Sequence, residues 1–197
     1  RDMLEVTLVE SEQIGTVGVG ESTIPTIRSF HRLLDIDERE FMSSVAASFK
    51  LSISFENWLR PGSRYFHPFG LTGVGTWACD FHHFWLDSLR RGIRTELGDF
   101  CLETVASRVD RFALTRHSGA GQQWSTRWAS QAMSPDRLEV NYAYHFDAGL
   151  YAAYMRERAE RQGLRRIEGR IQDVRQHPES GDVQALVLDN GIVVEGD

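Results

Sequence analysis

The chain has 197 residues, one domain or a little more, and is long enough to bury about 70% of its extended surface. Its formal net charge of −6 leaves no basic footprint for nucleic acid, and 41% hydrophobic with 25% charged residues is ordinary for a globular chain. No apolar run approaches a membrane span, and two cysteines without a CxxC, Cys79 and Cys101, exclude a disulfide framework or thiolate zinc site and fit a reducing, cytoplasmic compartment.

Leu4–Val9 reads as a strand with almost no lead-in, and Val193–Asp197 stops in or just after another. Both boundaries are expected to be cuts in a larger α/β protein. Glu10 ends the first strand, where dinucleotide folds place the acceptor for a ribose hydroxyl. Glycines 15, 18 and 20 follow, but not in GxGxxG order, so a cofactor loop and an ordinary strand-to-helix connection both stand. Ser22 or Thr23 is expected to cap the next helix, with Pro25 in its first turn and Ile27, Phe30, Leu33 and Leu34 on its apolar face. Asp37 and Glu40 form a variant capping box for a second helix. Its stripe is Phe41, Val45 and Phe49, and it is expected to run out near Lys50.

Lys50 is the only lysine, against twenty-one arginines. A guanidinium holds its proton, whereas a desolvated amine can lose one and act as a nucleophile or hold an electrophile. A drift of composition toward arginine explains the same count. Beyond Lys50 the residues alternate: Leu51, Ile53 and Phe55 on one side of a strand, Lys50, Ser52, Ser54 and Glu56 on the other. The lysine is thus expected at a helix-to-strand junction on a polar face.

Residues 58–135 are rich in aromatics and histidine and lack long periodic runs. These aromatics suit a core, or a rigid slot for a planar substrate. His82 and His83 are adjacent and lack a third ligand at recognisable spacing, so no metal site is assigned. Ser118–Gln123 reads as a loop. Asp147 is a good N-cap for a helix from Ala148 to about Arg161, closed by Gly163. Strands are expected near 165–168, 171–176 and 183–188. Asn190-Gly191, a pair preferred in type I′ hairpins, leads into a last strand at 192–195.

Several segments together resemble the flavin-dependent tryptophan halogenases. Val6-Thr-Leu-Val-Glu-Ser11 and Ile14-Gly-Thr-Val-Gly-Val-Gly-Glu-Ser-Thr-Ile-Pro25 look like the family's second strand and flavin-contacting loop. Phe49-Lys50, followed by Ile53-Ser-Phe-Glu-Asn-Trp58, matches the stretch bearing the catalytic lysine. His67-Pro-Phe-Gly70 is similar to the segment lining the indole pocket, and Tyr144-His-Phe-Asp-Ala148 with the strands after it matches the return into the FAD-binding domain.

The resemblance implies an α/β fold: an FAD-binding, Rossmann-like domain of the glutathione-reductase and flavin-monooxygenase type, with an inserted substrate-binding region. Residues 1–45 and 140–197 would form the FAD part, and 46–139 the substrate and tunnel part. Glu10 would bind the ribose, and Gly18, Val19, Gly20, Glu21, Ser22, Thr23, Ile24 and Pro25 would border the flavin. The backbone at Ile171 would pass the adenine. FAD, reduced by a separate flavin reductase, would react with oxygen and turn halide into hypohalous acid. Lys50 would hold that acid beside an aromatic small-molecule substrate sandwiched by His67 and Phe69. A homodimer is compatible with the resemblance.

The family's amino-terminal GxGxxG, its later WxWxIP motif, the glutamate that assists the lysine and the halide site have no counterpart in these 197 residues, so the chain alone is expected to bind flavin weakly. An aromatic-ring flavin monooxygenase of the same superfamily and a non-catalytic FAD-fold binding domain stand as alternatives.

Overall fold

The computed structural model describes residues 4–14, 22–113 and 140–196. They divide into two compact units. One comprises Arg1–Glu21, Phe41–Ala46 and Phe146–Asp197, and the other Ser22–Glu40 and Ala47–His145.

In the first unit, strand β1 (Thr7–Glu10) lies parallel to β6 (Arg165–Glu168), with Glu10 level with Glu168. Helix α5 (Ala148–Arg161) precedes β6 and has the ends its sequence specifies. The Asp147 side chain accepts from the Leu150 N–H at 2.8 Å. At the other end Gly163, at φ +101°, donates to Glu160 O, and Leu164 N donates to Ala159 O. That pair of bonds is the Schellman closure, which needs a left-handed residue at its centre. Strands β7 (Ile171–Gln176), β8 (Val183–Leu188) and β9 (Val193–Glu195) form an antiparallel meander. The β8–β9 connection is not the expected type I′ turn. Only Gly191 has positive φ, Gly191 N donates to Leu188 O, and Leu188 N to Ile192 O. This is a three-residue loop with its left-handed residue last, the arrangement of a G1 bulge.

Phe41 is fully buried, and the rings of Phe146, Tyr151 and Tyr154 stand edge-on to it, with centroids at 5.7, 5.8 and 6.4 Å. Such edge-to-face packing suits the ring quadrupoles. Helix α2 (Glu38–Ser44) carries Phe41 and ends sooner than its apolar stripe suggests. Asp37 caps it by accepting from the Arg39 and Glu40 N–H groups. Ala46, at φ +50°, then turns the chain out of the helix. Phe49 therefore leaves the stripe and belongs to a strand of the second unit.

That unit holds α1 (Thr26–Leu33), β2 (Ser48–Lys50), β3 (Ser52–Glu56), β4 (Arg64–Pro68), α3 (Phe81–Arg90), a 3₁₀ turn (Leu97–Phe100), α4 (Leu102–Arg108) and β5 (Ala143–His145). Neither Ser22 nor Thr23 caps α1. Pro25 occupies the N-cap position without a side-chain bond, because both hydroxyls are committed elsewhere. The single strand expected through Lys50 to Glu56 is two. β2 pairs antiparallel with β5, and β3 pairs antiparallel with β4, so the chain changes sheets at Leu51. From Ile53 to Glu56 the alternation holds, with Ile53 and Phe55 partly buried and Ser54 and Glu56 exposed, whereas Ser52 is half-buried with its Oγ 2.8 Å from Ser107 Oγ. Cross-strand stacking of Phe55 on Tyr65, centroids 5.0 Å apart, fixes the β3–β4 register. Among the described residues no helix is long and apolar enough to cross a membrane.

Candidate functional site

The second unit gathers its polar chemistry around β5. On one edge of β5 lies β2, with Lys50 opposite Ala143. On its other edge lie Ser22 and Thr23. Ser22 bridges to His145, while Thr23 N and Oγ1 both donate to Tyr144 O, at 3.0 and 2.9 Å. Ala143, fully buried and small, separates the two edges, and the Lys50 side chain spans them. Its Nζ donates to Ser22 Oγ at 2.6 Å and to Thr23 O at 3.0 Å.

Lys50 is only 8% exposed, and its ammonium lies 5.3 Å from the centroid of the Phe69 ring. That distance is within cation–π range. Burial pushes the amine below its ordinary 10.5, because taking an ammonium out of water costs more than taking out a neutral amine. Two of the three ammonium hydrogens are used by Ser22 and Thr23, which leaves one for a guest. Glu56, five residues past the change of sheet, pairs with Arg64 at 3.3 Å. His145 is pushed below its ordinary 6.5, by burial first and by the Lys50 charge second.

A second carboxylate anchors β5 from α2. Glu38 Oε1 accepts from the hydroxyls of Tyr142 and Tyr144, at 2.7 and 2.5 Å. Burial, with the Glu38 hydrogen bond next, pushes Tyr142 up to about 12 and raises Tyr144 too, so both phenols stay protonated and donate. Arg28 covers the Tyr142 ring at 3.8 Å. His31, buried and held below its ordinary 6.5 chiefly by that burial, stacks on Tyr144 at 6.1 Å. Sequence reasoning missed this cluster. Its partners are more than a hundred residues apart in the chain, and no local pattern links them.

Of the residues expected to hold substrate, Phe69 is brought to Lys50. His67 is exposed on β4, opposite Ile53. Of those expected to border the flavin, Ser22 and Thr23 bind the lysine, Ile24 is exposed and Pro25 begins α1. Gly18, Val19, Gly20 and Glu21, like the Ser118–Gln123 loop, lie outside the described residues.

In the first unit, Glu10 stands at the carboxyl end of β1. Its Oε1 accepts from Arg166 Nε at 2.5 Å and Arg156 at 3.0 Å. These arginines, Arg166 foremost, hold the carboxyl below its ordinary value, so Glu10 is ionised at neutral pH. A partly exposed, ionised acceptor at a strand end suits a ribose hydroxyl, and in this respect the residues present fit FAD. Ile171, exposed, opens β7 with its backbone paired to Leu188.

The described residues thus form a mixed α/β chain with a buried amine beside an aromatic ring in one unit and an acidic strand end in the other. The chain belongs to the tryptophan halogenase family, whose model matches residues 1–197. It is similar to the solved structure of Xcc4156, a flavin-dependent halogenase from Xanthomonas campestris, with 46% identity and a TM-score of 0.83 over 98% of this chain and 35% of that one. BrvH, a flavin-dependent halogenase from Brevundimonas sp. BAL3, is 37% identical with a TM-score of 0.77, over 98% of this chain and 35% of its own. Tryptophan 6-halogenase SttH of Streptomyces toxytricini is 31% identical over 88% of this chain and 34% of its own length. The chain thus spans about a third of the relatives it matches.

Proposed function

We propose that this chain carries the amine-bearing part of an FAD-dependent halogenase that acts on an aromatic small molecule, tryptophan or another indole. Lys50 is its catalytic residue. The observation that carries the reading is the buried Lys50 Nζ, fixed by Ser22 Oγ and Thr23 O under the Phe69 ring.

Glu10 would hold the ribose of FAD and the Ile171 backbone would lie near its adenine; reduced by a separate flavin reductase, FAD would supply with oxygen the oxidising power that turns halide into hypohalous acid. Lys50 does the rest. As an ammonium, it donates its remaining hydrogen to the hypohalous oxygen and holds the acid in place. As a neutral amine, its lone pair takes the halogen, giving a haloamine and water. Attack by an aromatic carbon then transfers the halogen to the ring and restores the amine. Burial favours the neutral form and keeps competing water away. His67 and Phe69, two positions apart on one strand end, would flank the guest ring. Because several indole carbons are reactive, orientation selects the product.

The test uses the full-length enzyme with reduced FAD, oxygen, bromide and L-tryptophan or indole. Lys50→Ala is expected to abolish brominated product, while oxidation of reduced flavin continues at the wild-type rate. His67→Ala and Phe69→Ala are expected to change the isomer distribution or KM before they change flavin turnover. Undiminished bromination by Lys50→Ala would remove that residue from the chemistry. Hydroxylated product from the wild type would make the protein a ring monooxygenase instead.

A further inference from the structure

Helix α4 delivers one carboxyl group into the interior of the second unit. Glu103, in its first turn, is 3% exposed. Its Oε1 accepts from the Asn141 N–H at 2.8 Å, and its Oε2 from the Cys101 thiol at 3.5 Å. Asn141 Nδ2 in turn donates to Phe69 O at 2.8 Å, and Phe69 N donates to Leu51 O at 3.0 Å. A continuous line of hydrogen bonds therefore runs from Glu103 through Asn141 and Phe69 to the residue that follows Lys50. The carboxyl group also lies against the chain at Gly70. A Cβ there would sit 1.8 Å from Oε2 and 2.0 Å from Cδ, so any larger residue would collide with Glu103. The glycine closing His67-Pro-Phe-Gly70 thus has a physical reason: it admits this carboxyl group.

A buried polar side chain needs partners, and Glu103 would satisfy that rule as an ordinary core residue. Its partners give it more to do. Asn141, held by Glu103, fixes Phe69 O, while Leu51 O takes the Phe69 N–H on the other side, and the Phe69 ring is the surface facing the Lys50 ammonium.

We propose that Glu103 is a positioning residue for the Lys50 pocket: through Asn141 it sets where the Phe69 ring stands, and so which carbon of an aromatic guest meets the electrophile. Its effect on product rests on the halogenase reading, whereas its hold on the Phe69 backbone does not.

The experiment compares Glu103→Ala and Glu103→Gln with wild type in the full-length enzyme, using reduced FAD, bromide and L-tryptophan or indole as probes. Glutamine keeps an oxygen that can accept from Asn141 N, so its isomer distribution and KM should match wild type. Alanine should raise KM about tenfold, the worth of one good hydrogen bond, and broaden the isomer mixture, while flavin oxidation is unchanged. A folded Glu103→Ala enzyme with wild-type isomers and KM overturns the proposal. If that variant does not fold, Asn141→Ala serves: it breaks the link to Phe69 O and leaves Glu103 in place. It should broaden the isomers in the same way, and wild-type isomers would overturn the proposal.

If the wild type brominates neither probe, the functional reading fails for those substrates, and hydrogen exchange decides the positioning role separately. Protection of the Phe69 amide, the donor to Leu51 O, should fall about tenfold in Glu103→Ala or Asn141→Ala and persist in Glu103→Gln. Unchanged Phe69 protection in the folded alanine variants would overturn it.

Discussion

Lys50 shows how one side chain's burial becomes both a cost and a capability. Its amine is pushed below 10.5 by desolvation, so the unfolded chain holds that proton more tightly than the folded one. The sign follows from linkage. Between the folded pKa and 10.5 the unfolded state binds more protons, and stability rises with pH. Below the folded pKa both states are protonated, and the penalty of burying an ammonium is fully in force. The same shift enlarges the neutral fraction, the form that the proposed haloamine step requires. Because Lys50 is the only lysine of this chain, its side-chain ε-CH₂ gives a single lysine resonance to follow by NMR. The titration midpoint is expected below 10.5 in the folded protein, and near 10.5 in urea. A folded midpoint at or above the unfolded one would mean that Ser22 and Thr23 stabilise the ammonium by more than burial penalises it.

At the scale of elements, helix α5 and its closure tell how far local sequence reaches. Gly163 is required by its conformation, at φ +101°, and not by crowding, since a Cβ there would meet nothing within 4 Å. Gly163→Ala should therefore destabilise by about 1 kcal/mol, the cost of placing an L-residue in the left-handed region. The shift of the urea midpoint at unchanged m-value measures it, and no shift would mean that the helix end refits without the Schellman bonds. This element was legible because its signals act over three to five residues: Asp147 on Leu150, Gly163 on Glu160, Leu164 on Ala159. Strands β6 to β9 were legible for the same reason. The break at Leu51 was not. Alternation through Lys50 and Ser52 is unbroken, and only the separate partners of β2 and β3 reveal two sheets. Ser22 and Thr23 read as helix caps because a hydroxyl before a helix usually is one. Here pairing with His145 and Tyr144, over a hundred residues away, outweighs the cap. Lys50 itself was singled out by chemistry, as the one lysine among arginines, but its partners depend on tertiary pairing that no nearby residue announces.

At the scale of the whole molecule, the described partners of Glu10 and those of Lys50 have no side chain in common. Glu10 is held by Arg156 and Arg166 within the first unit, and Lys50 by Ser22, Thr23 and Phe69 within the second. Whether two sites without a common partner are coupled is what a double-variant cycle measures. In the full-length enzyme, Glu10→Gln removes the negative charge from the proposed ribose acceptor, which its arginines keep ionised, and should weaken FAD binding about tenfold. Lys50→Ala should leave FAD affinity within about twofold and remove halogenated product. The double variant should show the sum of the two effects on FAD binding free energy to within about 0.5 kcal/mol. Flavin fluorescence titration of the four proteins decides the point. A loss of FAD affinity in Lys50→Ala as large as that in Glu10→Gln would mean that the amine binds the cofactor itself, and Lys50 would then be part of the flavin site instead of the holder of a diffusing electrophile.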